Sequence, residues 1–427
     1  MPKSQYIDPK EMRKAGEITF SPIPVNQYKK TAKEELKSKH FTKDDLKRIY
    51  RDMVVIREFE TMLQLVKTTG GYNGVEYNNP GPAHLSAGQE AAAVGMAYML
   101  DINDFIFGSH RSHGEILAKG LRAIELLDDK SLEKIMNEFW DGATVNVAKK
   151  TYKGGSVKEL GIRFLLYGAL AEIFARTTGF NKGLGGSMHT FFTPFGIYPN
   201  NAIVGGSGSI AVGAALYKKV NRKPGIVVAN IGDASMARGP VWEGMTFAAM
   251  DQFKQLWEGD MKGGLPVIIN IMDNQYGMGG QTRGETMGFD FAARIGAGVN
   301  PEQMHAERVD GFNPLAVIDA YRRKKAILEK EKAGPVLLDV LTYRYSGHSP
   351  SDASSYRTKE EVEAWEAQDC IVSYGKELID AGVATQADLD AVTKEIKEIM
   401  FDTFKLSIDD ELSPRMDLHK EPELLTR

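Results

Sequence analysis

Apolar residues are distributed along this chain in two ways. Short unbroken runs, each closed by turn residues, alternate with longer stretches in which apolar positions recur every three or four residues. The first kind includes Ile226-Val227-Val228-Ala229-Asn230-Ile231, stopped by Gly232-Asp233-Ala234-Ser235. It also includes Leu265–Met272, stopped by Asp273-Asn274-Gln275-Tyr276-Gly277, the run Gly334–Leu341, and the short Asp104–Phe107. Runs of this length between turns predict strands of a parallel sheet buried on both faces. The second kind predicts helices. Leu46, Ile49, Met53, Ile56 and Leu63 follow a capping-box pattern, Thr42-Lys43-Asp44-Asp45. Leu389, Val392, Ile396 and Met400 follow a second one at Thr385–Asp388. Further helices are expected over Gln89–Leu100, most of 121–175, the Gly/Ala-rich 207–216, about Pro240–Met250, and Asn313–Lys332, whose basic face reads as solvated surface. The segment Asp251–Gly264 reads as a surface extension of a crossover. Strands alternating with helices predict an α/β fold, a central, mostly parallel sheet with helices on both faces.

Chemistry concentrates where the runs stop. A strand end, a small-residue turn and a helix start form the place where open α/β sheets bind phosphorylated ligands. Asp233 at that point would repel phosphate unless a cation lay between them, so Gly232-Asp233 suggests a metal-bridged diphosphate. If the two strands are neighbours, the Asp233 carboxylate, the Asn274 amide oxygen and a main-chain carbonyl, assigned to Tyr276, form an oxygen set suited to Mg²⁺. Ser109-His110-Arg111-Ser112-His113 places two His and an Arg just past another strand end, and Arg suits bidentate phosphate contact. His348 opens a Ser-rich loop after the strand Gly334–Leu341 and is the best acid/base candidate in the chain.

Composition narrows the class. The 427 residues carry 53 Lys and Arg against 57 Asp and Glu, a net charge of −4, which suggests neither a nucleic-acid nor an anionic-membrane partner. The single cysteine, Cys370, leaves no internal disulfide framework and fits a reducing cytoplasm. No apolar run reaches the length of a membrane span. Met1–Glu17 carries acids and no apolar core, unlike a secretory or transit peptide.

With these motifs in hand, the chain resembles a known family. Gly232-Asp233-Ala234 followed by Asp273-Asn274-Gln275-Tyr276-Gly277 is similar to the thiamine diphosphate motif of the α subunits of 2-oxo acid dehydrogenase and acetoin dehydrogenase complexes. The blocks 84–95, 110–120, 182–189, 202–206 and 343–365 follow in the family's order, so the likeness spans roughly residues 40–405. It implies the thiamine diphosphate-binding fold, with thiamine diphosphate and Mg²⁺ as cofactors. It implies cofactor contacts at His84, His110, Arg111, Gly232, Asp233, Ala234, Asn274, Tyr276 and His348, and main-chain contacts to the aminopyrimidine near Ile203 and Val204. For His113 a structural and a catalytic role stay equally open. Ala234 stands where the family has Gly, and Asp273 where it usually has Asn. The connection 121–175 and the segment 251–264 are longer than in pyruvate-type relatives. Ser349 and Ser355 match regulatory positions of mitochondrial relatives, but regulation does not follow from the match.

The resemblance also implies a division of labour. The Glu that activates the cofactor would come from a separate β subunit in an α2β2 heterotetramer, and the acyl group would pass to a lipoyl-bearing acyltransferase component. The expected activity is that of a cytoplasmic, pyruvate/2-oxo acid dehydrogenase-type α subunit that cleaves a C–C bond next to a carbonyl. An acetoin dehydrogenase α subunit is the alternative, and a non-catalytic scaffold subunit a third reading. The expected organisation is an extended arm over 1–40, an α/β domain over 41–405 with a mobile loop at about 345–358, and a tail over 406–427.

Overall fold

A computed structural model describes residues 6–422. Six parallel strands form its main sheet, numbered here β1 (Phe105–Phe107), β2 (Ile197–Tyr198), β3 (Val227–Gly232), β4 (Val267–Asp273), β5 (Glu307–Asp310) and β6 (Val336–Leu341). Their spatial order is β2-β1-β3-β4-β6-β5. β3 and β4 lie at its centre in direct register, Val227 opposite Val267 and Gly232 opposite Met272.

The unbroken apolar runs are explained by two cores. Successive side chains of a strand leave on opposite faces. Val228, Ile268, Val336 and Leu338 enter a large cluster on one face, while Val227, Ala229, Val267, Ile269 and Leu337 enter a smaller one on the other. The large cluster is covered by helices including α1 (Lys43–Thr69), α2 (Glu90–Tyr98), α3 (His113–Leu126), α4 (Val157–Ile173), α7 (Pro314–Glu329) and the C-terminal Gln386–Ile408. The smaller one is covered by α5 (Gly206–Val220) and α6 (Gly239–Ala248). Both expected capping boxes close: Thr42 and Asp45 bond reciprocally, as do Thr385 and Asp388.

Two sequence expectations change. The basic helix α7 is not a solvated face: Lys324 and Arg323 pair with Glu307, Lys325 pairs with Asp104, and its apolar side enters the main core. In 251–264, Phe253 is buried between Phe247 and Trp257, so that segment extends the smaller core. Within the chain, Gly208 of α5 lets α6 approach closely, because a Cβ on Gly244 of α6 would meet the Gly208 backbone at 3.0 Å.

The ends of the chain are tied down where they are described. Pro24 and Asn26 exchange backbone hydrogen bonds with Arg308, extending the sheet edge beyond β5. Such pairing protects an edge strand. At the other end, Arg176 pairs with Asp410 and donates to the Ser413 carbonyl, and Pro414 accepts from the Thr177 amide. The outermost parts of the expected arm and tail, 1–5 and 423–427, lie outside the described residues. Among the described residues no helix is long and apolar enough to cross a membrane.

Candidate active site

Because β3 and β4 are hydrogen-bonded neighbours whose last paired residues are Gly232 and Met272, Asp233 follows one strand end and Asn274 the other, one residue further along, across a strand spacing of about 4.8 Å. Both are buried. The Asp233 carboxylate accepts from Thr282 Oγ1 at 2.5 Å. Burial, and then the negative charge of Asp273, push its pKa up to about 8. Asn274 donates its amide to Gln89 Oε1 at 3.0 Å, and its oxygen accepts the Tyr276 amide at 3.3 Å. Gln275, with φ 66, reverses the chain between them, while Ala234 sits in a 3-10 turn without positive φ, so it needs no glycine there. The Tyr276 side chain donates to Glu361 at 2.7 Å, which leaves its main chain as the part available to a ligand.

A positive pole faces this acidic one. Arg111 is 3% exposed and donates to the carbonyls of Leu85, at 2.7 Å, and His348, at 3.0 Å. Arg344 is 1% exposed and donates to the Gly277 carbonyl and the Tyr356 hydroxyl, while its Nε has no partner. Neither guanidinium has a carboxylate in ion-pair contact among the described residues. Burial, followed by repulsion from Arg344, brings the Arg111 pKa down to about 9. Two buried cations without counter-ions are costly unless an anion joins them.

Three imidazoles stand against this pair. The ring centroids of His84, His110 and His348 are 5.0–5.5 Å apart. Burial first, and the Arg111 charge second, hold all three neutral, with pKa values of about 3, 2 and 4. His84 Nδ1 and His110 Nε2 are buried without partners. His348 is held through its backbone, its amide donating to Asp352 at 2.7 Å and its carbonyl accepting from Arg111, and through its ring, whose Nδ1 accepts from Arg344 at 3.3 Å. Arg357 braces the same loop by donating to the carbonyls of Arg344 and Ser346. His113 is different: its ring meets Glu60 at 3.0 Å and Ser187 Oγ at 2.9 Å, so neither nitrogen is free.

Next to His110, a cavity of about 120 Å³ is bounded by Ile203, Val204, Gly232 and Ser235. Ile203 and Val204 are 62% and 56% exposed, so they form its rim.

Sequence reading missed several supports. Glu172, fully buried in α4, accepts the backbone amides of Asn181, Gly183 and Gly185 and so suspends the glycine-rich loop 182–189. A lone acid inside the apolar stretch Leu160–Phe174 was the available signal. Arg344, Gln89 and Thr282 gave no local signal, since their partners lie on distant segments.

A family model described as "Dehydrogenase E1 component" matches residues 51–159 and 156–414. The chain belongs to the dehydrogenase E1 component family. It is therefore a thiamine diphosphate-dependent oxidoreductase. Among similar proteins, the pyruvate dehydrogenase E1 component subunit alpha of Rhizobium meliloti (strain 1021) is 30% identical over 364 residues, 85% of each chain. The Rickettsia conorii (strain ATCC VR-613 / Malish 7) protein of the same name is 29% identical over 405 residues, covering 95% of this chain and 98% of its own. The type II mitochondrial pyruvate dehydrogenase E1 component subunit alpha of Ascaris suum is 30% identical over 400 residues, covering 93% and 84%. The donor chemistry of this E1 chain fits its cofactor. A diphosphate would meet the uncompensated Arg111 and Arg344 and the free ring nitrogens of His84 and His110.

Proposed function

We propose that this chain is the α subunit of a thiamine diphosphate- and Mg²⁺-dependent E1 of the pyruvate/2-oxo acid dehydrogenase type, which passes an acyl group to a lipoyl acceptor on a separate component. The observation that carries the reading is the facing of two poles: Asp233 and Asn274 at adjacent strand ends, and the counter-ion-free guanidiniums of Arg111 and Arg344 opposite them. Mg²⁺ would bind Asp233 Oδ1, Asn274 Oδ1 and the Tyr276 carbonyl. One carboxylate with two neutral oxygens suits a cation that shares its shell with phosphate oxygens. Arg111 and His110 would hold the diphosphate, with His84 beside them, Gly232 and Ala234 shaping the turn, and backbone groups of Ile203 and Val204 meeting the aminopyrimidine.

When bound, thiamine diphosphate supplies the nucleophilic carbon and the electron sink for C–C cleavage. The chain's own residues orient and exclude water. His348 enters neutral with Nδ1 accepting from Arg344 at 3.3 Å, so its Nε2 carries the proton and would donate a hydrogen bond to a developing oxyanion, and neutralising Arg111 with diphosphate would raise its basicity. A β subunit supplies the activating Glu, in an α2β2 assembly with the exposed Ile203, Val204, Ile210, Tyr217 and Trp242 toward a partner. That the similar proteins are pyruvate dehydrogenase E1 subunits supports a 2-oxo acid over acetoin.

The test is reconstitution with a β subunit, followed by assay of pyruvate, branched-chain 2-oxo acids and acetoin with an artificial electron acceptor, with and without Mg²⁺. Mg²⁺-dependent turnover of a 2-oxo acid is expected. Turnover of acetoin alone, or turnover indifferent to chelation, would overturn the assignment.

A further inference from the structure

A second and larger cavity, about 710 Å³, adjoins the first. The two share His189 and Ala202 as lining, and the partition between them is the hydrogen bond from His189 Nδ1 to Asn200 Oδ1 at 2.7 Å. Asn200 also donates to the carbonyls of Ser109 and Met188, so the partition is anchored to the His110 loop and to the glycine-rich loop.

Its walls are aromatic. Phe180 and Phe192 stack at 4.6 Å, Phe139 meets Phe192 edge-on at 4.7 Å, and Phe191, Trp140 and Leu184 complete the apolar surface. No carboxylate lines the cavity, and Lys182 is its only fixed cation. Lys182 Nζ lies 4.6 Å from the centre of the Trp140 ring, and no carboxylate pairs with it among the described residues. The Trp140 indole donates to the Phe180 carbonyl at 3.0 Å.

Trp140 is held there against its backbone preference. Trp140 and Asp141 have φ 48 and 52, followed by Gly142 at φ 78. Consecutive left-handed residues other than glycine persist only where the surroundings hold them, and they cluster at functional sites. The segment from the helical insertion thus places a partly exposed indole at the open edge of the cavity at a conformational cost.

Resting on the functional reading above, we propose that this cavity receives the side chain of the substrate, and that the substrate is a 2-oxo acid with an aryl side chain. Aromatic walls favour a ring, by offset stacking and edge contacts. Among the described residues no acid is present to favour a cationic side chain, and Lys182 already lies over the Trp140 ring. The volume lies in the range of pockets that enclose a whole organic ligand, well beyond what a methyl group occupies.

The experiment uses the reconstituted α/β pair with thiamine diphosphate and Mg²⁺, and phenylpyruvate and pyruvate as probes. Phenylpyruvate should quench tryptophan emission saturably, and Trp140→Phe should remove that response. Trp140→Gly takes away the ring at a position whose φ suits glycine, so the fold is spared. It should lower the ratio of kcat/KM for phenylpyruvate over pyruvate at least tenfold, the scale of losing an apolar contact in a specificity pocket, and Trp140→Phe should largely restore it. A quench that survives in Trp140→Phe, an unchanged ratio in Trp140→Gly, or a cavity made unresponsive by the β subunit would overturn the pocket assignment while leaving the E1 reading intact. Saturable binding without turnover of any 2-oxo acid would overturn the functional reading, and the substrate assignment with it.

Discussion

Arg111 donates a 3.0 Å hydrogen bond to the backbone carbonyl of His348, joining the loop after β1 to the loop after β6. The contact uses the main chain of His348, while the imidazole Nδ1 accepts separately from Arg344 Nη1 at 3.3 Å. The Arg111 link therefore survives loss of the imidazole.

His348→Ala should lower turnover by about 10²–10⁴-fold, the usual contribution of a positioned acid/base group. Cofactor affinity should fall little, since Arg111 keeps its carbonyl partner and Arg344 keeps Gly277 and Tyr356, losing only the ring. Steady-state kinetics at saturating cofactor, paired with calorimetry, checks both. Turnover within a few-fold of wild type would remove His348 from the catalytic assignment.

Asp233→Ala should abolish Mg²⁺-dependent cofactor binding. It deletes the one carboxylate among the proposed metal ligands while leaving Arg111 and Arg344 in place. Titration calorimetry with and without chelator is the measurement, and wild-type affinity in the variant would refute the metal site.

Arg308→Met tests the floor beneath the site. Arg308 Nη1 lies 2.7 Å from both Asp273 and Asp339, all three buried. Removing the shared cation strands two buried carboxylates, and a loss of about 3–5 kcal/mol is expected. Denaturant unfolding reads it. A loss below 1 kcal/mol would show that the acids are protonated or hydrated in the native state.

Stability should also fall on acidification through His110. Its folded pKa, about 2, lies below the ordinary 6.5 because of burial, with Arg111, His84, His348 and Arg344 as the facing charges. Below pH 6.5 the unfolded chain takes up a proton that the folded chain refuses. Stability is thus fully present above pH 6.5 and declines from there toward pH 2. The melting temperature of the wild type should drop between pH 7.5 and 5.5, and His110→Gln should drop less. Equal slopes would contradict the burial argument.

The strands and their chemistry were legible because each signal is local. An apolar run broken by Gly232-Asp233, or by Asp273-Asn274, announces both the strand and what it presents, and the structure moves these ends by only a residue or two. Partners distant in sequence were not legible. The basic face of α7 looked solvated because Glu307 and Asp104, which neutralise it, come from the ends of β-strands elsewhere. Nothing in the sequence pairs Gly208 of α5 with Gly244 of α6, so their close approach was not legible either. Arg344 was passed over in Tyr343-Arg344-Tyr345 for a similar reason: what distinguishes it is the missing counter-ion.

Glu172 divides the helical insertion into a part free to drift and a part that is not. The glycine-rich loop hangs by its amides from one carboxylate on α4, so its position is set by the rotational phase and axial place of that helix. A residue gained or lost within α4 upstream of Glu172 would turn the carboxylate by about 100° and drop the loop. A residue gained or lost in the turn before Ser156 would leave the suspension untouched. Length variation among descendants of this chain is thereby steered to one side of the helix cap.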